Sequence, residues 1–198
     1  MYEKYFKRIF DILVCIIGLP IFLIIFVGVC IAIKIEDGGP IFYNANRIGK
    51  DFKLFKMYKF RSMKVNAPYI LMEDGTTFSS DHDERVTKVG HFIRLTSLDE
   101  TPQLLNVLKN DMSLIGPRAS LEDSIDTFLK DEVDKMKVKP GITGYSQAYY
   151  RNNKSSREKR VVDAWYANHV SLKLDLRIFF KTFTTVLNHR GVYSNHED

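Results

Sequence analysis

From Ile12 to Ile33 the chain runs through 22 residues without a charged side chain, with cations on both flanks and Pro20 near the middle. As a helix rising about 1.5 Å per residue, this run would be roughly 33 Å long, enough to cross a hydrocarbon core of about 30 Å. A cleaved signal peptide has an apolar stretch of about 7–15 residues and a small-residue cleavage site. This run is longer and ends at Lys34, so the segment is expected to stay attached. Lys4, Lys7 and Arg8 precede it, and Lys34, Arg47, Lys50 and Lys53 follow it. Positive charge favours the cytoplasmic side, so both ends ask for the same face. A proline inside a helix removes one backbone hydrogen bond and clashes with the preceding turn, at about 3 kcal/mol in water. Two geometries satisfy the pattern: a helix that bends at Pro20 and returns, or a single crossing with a tolerated proline kink.

The residues after the anchor suffice for one compact domain, which divides the chain into an anchor at 1–37 and a catalytic or binding domain at 38–198. The net charge is +5. It is unevenly spread: residues 44–64 are basic, whereas 73–84 and 122–134 are acid-rich. A basic segment beside a membrane anchor suits anionic lipid, a phosphorylated ligand or nucleic acid. Both cysteines, Cys15 and Cys30, lie in the apolar run, which argues against a disulfide framework.

Gly38-Gly39-Pro40 marks a turn. Ile41–Tyr43 and Phe52–Arg61 are rich in β-formers, and with Arg47–Lys50 as the turn they predict a hairpin. Alternation then puts Lys53, Lys59 and Arg61 on one face and Phe52, Leu54, Tyr58 and Phe60 largely on the other. The same pattern also describes an ordinary strand with a solvated cationic face. Residues 66–84 read as a polar loop. Its Asp81-His82-Asp83-Glu84 offers metal-ligand chemistry, but four adjacent side chains do not converge on one ion, so a solvated acidic loop is the better reading. Leu121, Ile125, Phe128, Leu129, Val133 and Met136 predict an amphipathic helix over 119–136 that ends at the turn Lys139–Gly144. Further helices are expected at about 155–169 and 172–188, the last one apolar enough to lie on the core or at a membrane interface.

The segment with most chemical promise is Arg94 to Leu108, which contains Asp99 and Glu100. Thr101 before Pro102 reads as an N-cap; alternatively, Ser97 and Glu100 form a capping box. In both versions the acidic pair lies near a helix N-terminus, which favours an ionised carboxylate or a bound phosphate. An ionised aspartate can attack phosphorus or hold magnesium. Carboxylates in a helix's first turn also occur simply because they stabilise it.

Several motifs occur together and in order: the proline-broken anchor, Tyr58–Met63, Ser97-Leu-Asp-Glu100, Asp111–Arg118, Lys139–Gly144 with Gln147, and Leu174–Leu176. The combination resembles the small monotopic phosphoglycosyl transferases of bacterial glycoconjugate assembly, from Tyr2 to about Val192. The resemblance implies an α+β fold, mostly helical with a small β-hairpin, carrying a re-entrant membrane helix broken near Pro20 and interfacial amphipathic helices. It implies transfer of a sugar phosphate from a UDP-sugar to undecaprenyl phosphate, with release of UMP, at the cytoplasmic face of the bacterial inner membrane. Asp99 would form a covalent phosphosugar intermediate, and Glu100 would complete the catalytic pair. Both carboxylates are candidate ligands for Mg2+. Arg94 matches a phosphate-contacting position, and Lys59, Arg61 and Arg118 are further candidates for phosphate or nucleotide contact.

The expected partners are the UDP-sugar, undecaprenyl phosphate and membrane lipids, with no nucleic acid; a homodimer suits a membrane-surface enzyme. Two departures stand out. Ala119 replaces the second proline of a Pro-Arg-Pro that the family commonly has, and Leu19 precedes Pro20 where relatives often carry a small polar residue. Sugar specificity is expected in the loops around 66–84 and 145–160. The rival from another class is a tethered protein that binds nucleic acid or anionic lipid, against which the long acidic stretches argue. A second enzymatic reading makes Asp99 a magnesium ligand in a direct displacement.

Overall fold

A computed structural model describes residues 2–70, 78, 80, 82–150 and 154–187. After a π-helical turn at Tyr2–Phe6 come helix α1 (Lys7–Asp37), strands β1 (Ala45–Ile48) and β2 (Leu54–Met57), and helices α2 (Lys88–Leu95) and α3 (Gln103–Leu108). The second half holds β3 (Ser113–Ile115), β4 (Ser120–Leu121), β5 (Gly141–Thr143), α4 (Tyr145–Tyr149), α5 (Ser156–Asn168) and α6 (Leu172–Leu187). The fold is therefore α+β, with helix predominating.

Helix α1 has 31 residues and continues through Pro20, in place of the interruption expected there. Ten of its aliphatic side chains, from Ile9 to Ile35, are 52–81% exposed, and only 17% of its most apolar stretch is buried. The core helix of a soluble protein would hide such a surface; this one needs an apolar solvent.

Both ends of α1 are nevertheless bound to the same domain. At its start the Lys7 ammonium pairs with Asp175 and donates to the Tyr166 hydroxyl at 3.3 Å. Arg8 donates to the carbonyls of Val107 (2.5 Å) and Leu108 (3.0 Å), and Asp11 accepts the Leu114 N–H at 3.0 Å. At its end Glu36 accepts the N–H groups of Lys88 (2.7 Å) and Val89 (3.1 Å), while Asp37 accepts two guanidinium bonds from Arg61 at 2.5 and 2.8 Å. The basic N-terminal flank thus does more than meet solvent or headgroups: Lys7 is buried and structural.

The hairpin forms one step later than expected. β1 and β2 pair antiparallel from Ala45↔Met57 to Ile48↔Leu54, which puts Arg47 and Ile48 in a strand. The turn is Gly49–Lys53, closed by the Gly49 N–H on the Lys53 carbonyl, with Asp51 and Phe52 at positive φ. The later turn moves the inward face to Phe55 and Met57 and leaves Leu54 51% exposed, because side chains alternate with a period of two. β4 pairs with the other edge of β1.

The expected helix over 119–136 is not there. It is replaced by β4, a 3-10 segment at Glu122–Thr127, an extended Phe128 and a second 3-10 segment at Val133–Lys137. Local side chains compete with the helical pattern: Ser124 Oγ donates to the Leu121 carbonyl (2.7 Å) and Thr127 Oγ1 to the Ser124 carbonyl (2.8 Å). Glu132 is then fully buried to receive Arg160 at 2.9 Å and Arg157 at 3.3 Å, whereas Ile125 and Leu129 of the expected apolar face stay exposed.

The segment around Lys139–Gly144, expected as a turn, contains β5, which pairs parallel with β3. The two motifs on either side touch so closely that a Cβ on Gly144 would lie 2.0 Å from the Gly116 carbonyl oxygen. The helices expected near 155–169 and 172–188 are present as α5 and α6; residue 188 and Val192 lie outside the described residues. A capping box of Ser155 and Glu158 starts α5.

Two apolar clusters hold these elements. The larger joins Cys15 of α1 with Val107, Met112, Ile115, Val138, Tyr166 and Ile178; the smaller joins Val29 and Ile33 with Phe60 and Ile93. Each end of α1 therefore serves one cluster. Removing one partner of a buried ion pair leaves an uncompensated charge and costs about 3–5 kcal/mol. Lys7→Met, which strands the Asp175 carboxylate, is expected to destabilise the fold by that amount, read as a lower unfolding midpoint in detergent or nanodiscs.

Candidate active site

Asp99 and Glu100 occupy a single 3-10 turn, Leu98–Glu100, between α2 and α3. Neither expected cap forms. Ser97 is in the left-handed region (φ 57°) and its side chain caps nothing, while Thr101 Oγ1 donates to the Leu98 carbonyl at 2.8 Å. Pro102 is already helical and α3 is six residues long, so the acidic pair does not sit on the end of a long helix dipole. Side-chain cations supply the positive field instead.

Lys59 does most of this. Its ammonium lies 2.7 Å from Asp99 Oδ2 and 3.3 Å from Glu100 Oε1. The next residue, Phe60, donates its N–H to the Asp99 carbonyl at 3.0 Å, which fixes the Lys59 segment beside the dyad. Arg118 approaches Glu100 Oε1 at 3.7 Å from the opposite loop, with its side chain 57% exposed. The loop is held by Asp163, a fully buried carboxylate that accepts the Arg118 N–H at 3.0 Å and the Ser146 N–H at 3.4 Å.

Asp99 is 3% exposed. Burial pushes its carboxyl above the ordinary aspartate range; the Lys59 charge pulls against this, the Glu100 charge adds to it, and Arg94 pulls down more weakly. Desolvation alone would lower the Lys59 ammonium, but the charges of Asp99 and Glu100 outweigh it and its pKa is raised.

The structure thus gathers Asp99, Glu100, Lys59 and Arg118, with Arg94 close enough to act on Asp99. Arg94 Nε also donates to Ser62 Oγ at 2.9 Å. Arg61 is committed elsewhere: its guanidinium bonds Asp37 and the carbonyls of Pro40 (2.6 Å) and Met63 (2.9 Å), so it acts as a clamp on the end of α1. A cation absent from the sequence-based set joins the site. Arg47, half-buried on β1, has its pKa lowered first by burial and then by the Arg118 charge, partly offset by the charges of Tyr69, Tyr43 and Glu100. Placing Arg47 in the turn rather than on the strand concealed it.

In the acidic loop, Asp83 pairs with Arg85 at 2.7 Å, which removes it from any ligand set; Asp81 and residues 71–77 lie outside the described residues, as do 151–153 of the second specificity loop. Among the described residues no three carboxylate, imidazole or thiolate groups converge. Asp99 and Glu100 offer two carboxylates, the donor set of a magnesium ion held chiefly by substrate phosphates.

A family model described as bacterial sugar transferase matches residues 2–189. The chain belongs to that family. An undecaprenyl-phosphate galactose phosphotransferase of Salmonella typhimurium is 39% identical over 206 residues, covering 96% of this chain and 42% of the relative. A UDP-N-acetylgalactosamine-undecaprenyl-phosphate N-acetylgalactosaminephosphotransferase of Aeromonas hydrophila is 40% identical over 193 residues, 94% of this chain and 45% of the relative. The exopolysaccharide production protein ExoY of Sinorhizobium fredii is 38% identical over 198 residues, 94% of this chain and 88% of the relative. The chain spans less than half the length of the first two and most of the third.

For this sugar transferase family member the raised Asp99 pKa has a thermodynamic sign. The folded state holds the Asp99 proton more tightly than the unfolded chain, so the stability it contributes is full below the unfolded pKa, about 3.9, and is lost as pH rises through the folded value. Asp99→Asn has no such proton to lose. Between acid and neutral pH the unfolding midpoint of the variant is expected to gain on that of the unsubstituted protein; parallel curves would contradict the burial effect.

Proposed function

We propose that the chain transfers a sugar phosphate from a UDP-sugar to undecaprenyl phosphate, releasing UMP, at the cytoplasmic face of the bacterial inner membrane. The observation that carries this reading is a nearly buried carboxylate, Asp99, held against Lys59 at 2.7 Å with Arg94 and Arg118 at hand, in a chain whose apolar helix packs through Val29 and Ile33 on the same cluster as Leu98 and Phe60. Undecaprenyl-phosphate transferases among the relatives support the acceptor, and the UDP-N-acetylgalactosamine named for the Aeromonas hydrophila relative supports the donor class.

In the first step an Asp99 carboxylate oxygen attacks the β-phosphorus of the UDP-sugar. The bond from that phosphorus to the bridging oxygen breaks, and UMP leaves with the electron pair. In the second step a terminal oxygen of undecaprenyl phosphate attacks the same phosphorus, the Asp99–phosphorus bond breaks, and the carboxylate returns. Lys59 favours the ionised nucleophile and keeps it oriented. Arg94, Arg118 and Arg47 bind phosphate oxygens and offset charge as it shifts during transfer, which is how phosphoryl transfer is mostly catalysed. Magnesium, when bound, would be held by Asp99 and Glu100 together with substrate phosphates and would supply further positive charge there.

The membrane arrangement fits the reactants. One substrate is a soluble nucleotide and the other carries its phosphate at headgroup level, so burial of either phosphate in hydrocarbon is avoided only at the interface. A re-entrant α1 achieves this. Lys7, Arg8 and Asp11 at one end and Glu36 and Asp37 at the other are tied to the same domain, which favours both ends on one side, and Pro20 removes one backbone hydrogen bond from the continuous helix and so lowers the cost of bending it.

With magnesium, undecaprenyl phosphate and a panel of UDP-sugars, the purified protein should release UMP with at least one donor, and labelled sugar phosphate should stay on the protein when acceptor is omitted. Asp99→Asn should lower turnover at least about a thousandfold. A fully active variant would exclude Asp99 as nucleophile and return the direct displacement.

Topology is read separately. Glu3→Cys and Lys64→Cys, each as the sole cysteine, should react with an impermeant reagent from the same face of sealed vesicles; labelling from opposite faces would make α1 a single crossing.

A further inference from the structure

The last two residues of α1 grip two different pieces of the site. Asp37 holds Arg61, two residues after Lys59. Glu36 holds the first two N–H groups of α2, at 2.7 and 3.1 Å, and Thr87 supplies the rest of the cap by accepting the Gly90 N–H at 2.9 Å. With the Thr87 N–H on the Ser62 carbonyl at 3.2 Å, all four donors at the start of α2 that lack a helical partner are satisfied, half of them by a side chain from the apolar helix.

Helix α2 is pressed flat on the Lys59 segment. An added Cβ at Gly90 would lie 1.9 Å from the Ser62 carbonyl oxygen, so only glycine fits there. One turn later Arg94 Nε bonds Ser62 Oγ. Val29 and Ile33 of α1 close the same block from below by packing with Phe60 and Ile93. The two segments that supply Lys59 on one side and Arg94, Asp99 and Glu100 on the other are thus registered against each other by the end of α1.

We propose that Glu36 is a positioning residue: acting with Asp37, it couples the seating of the apolar helix to the placement of Arg94 beside Asp99. Glu36 touches neither carboxylate of the dyad and acts through the N-terminus of α2. A shift of about 1 Å in a group that positions substrate can cost up to about a hundredfold in rate, so loss of the cap is felt in catalysis before it is felt in folding. The catalytic arm of the test rests on the transferase reading above; its structural arm does not.

The test is a double-mutant cycle in the full chain, reconstituted in nanodiscs, with Glu36→Ala and Arg94→Lys made singly and together. Glu36→Ala should lower kcat about tenfold with a smaller change in the donor KM, and Glu36→Gln, which keeps an acceptor oxygen, should recover part of it. In the Arg94→Lys background Glu36→Ala should cost less than about twofold more, because both changes act through one group. Multiplying losses, or an unchanged kcat in Glu36→Ala, would overturn the proposal. Hydrogen exchange supplies the structural arm: Glu36→Ala should speed exchange at Lys88 and Val89 and onward through residues 92–96, whereas acceleration confined to Lys88 and Val89 would reduce Glu36 to a local cap. If the unsubstituted protein releases no UMP with any donor, the transferase reading fails, and the exchange result still decides the coupling.

Discussion

A helix that needs hydrocarbon along its middle and has both ends bonded to one polar domain is the constraint from which the rest of the architecture follows. The interactions at its ends are specific: charged side chains meet backbone carbonyls and N–H groups, or buried carboxylates and guanidinium groups, at hydrogen-bond distance. Bonds of this kind are worth little on an exposed surface and much more once water is excluded, because an abandoned partner stays desolvated. Each end also feeds one apolar cluster, so side chains of the anchor are part of the domain's own packing. Anchor and domain differ in composition but share both apolar clusters.

The same arrangement explains how a nearly buried aspartate is maintained. A 3-10 turn between two short helices gives Asp99 no strong dipole, and 3% exposure denies it water. Its compensation is a lysine brought by a strand extension far upstream, held by the Phe60 N–H on the Asp99 carbonyl and by the Asp37–Arg61 clamp. Arg61, a candidate phosphate contact by its position in the motif, is thereby part of the support for Lys59.

The elements legible in the sequence were those whose pattern and contacts agree. The apolar run, the existence of a hairpin and the last two helices follow from local periodicity, and the Asp99–Glu100 pair stands out by its setting. What local pattern could not carry was partnership at long range. Residues 119–136 have helical apolar spacing, but Ser124 and Thr127 bond their own backbone and Glu132 is drawn inward by Arg157 and Arg160, side chains 25 and 28 residues away. Lys139–Gly144 has the glycine and proline of a turn, and nothing local announces that Gly141–Thr143 pairs with Ser113–Ile115. Arg47 was hidden by a turn displaced only a few residues along the hairpin.

The alanine that follows Arg118 shows how tertiary contacts can replace a local restraint. A proline ring in place of Ala119 would stiffen the loop by fixing one dihedral. Here the loop is fixed from both sides: the Gly116 N–H bonds the Thr143 carbonyl at 2.9 Å, the Pro117 carbonyl accepts the Gly141 N–H at 3.0 Å, and Asp163 takes the Arg118 N–H. The backbone of Arg118 is therefore placed without a second proline, while its guanidinium is more than half exposed and lies 3.7 Å from Glu100. On the proposed transferase reading, a fixed backbone and an exposed guanidinium suit a residue that meets the phosphate of an arriving soluble substrate.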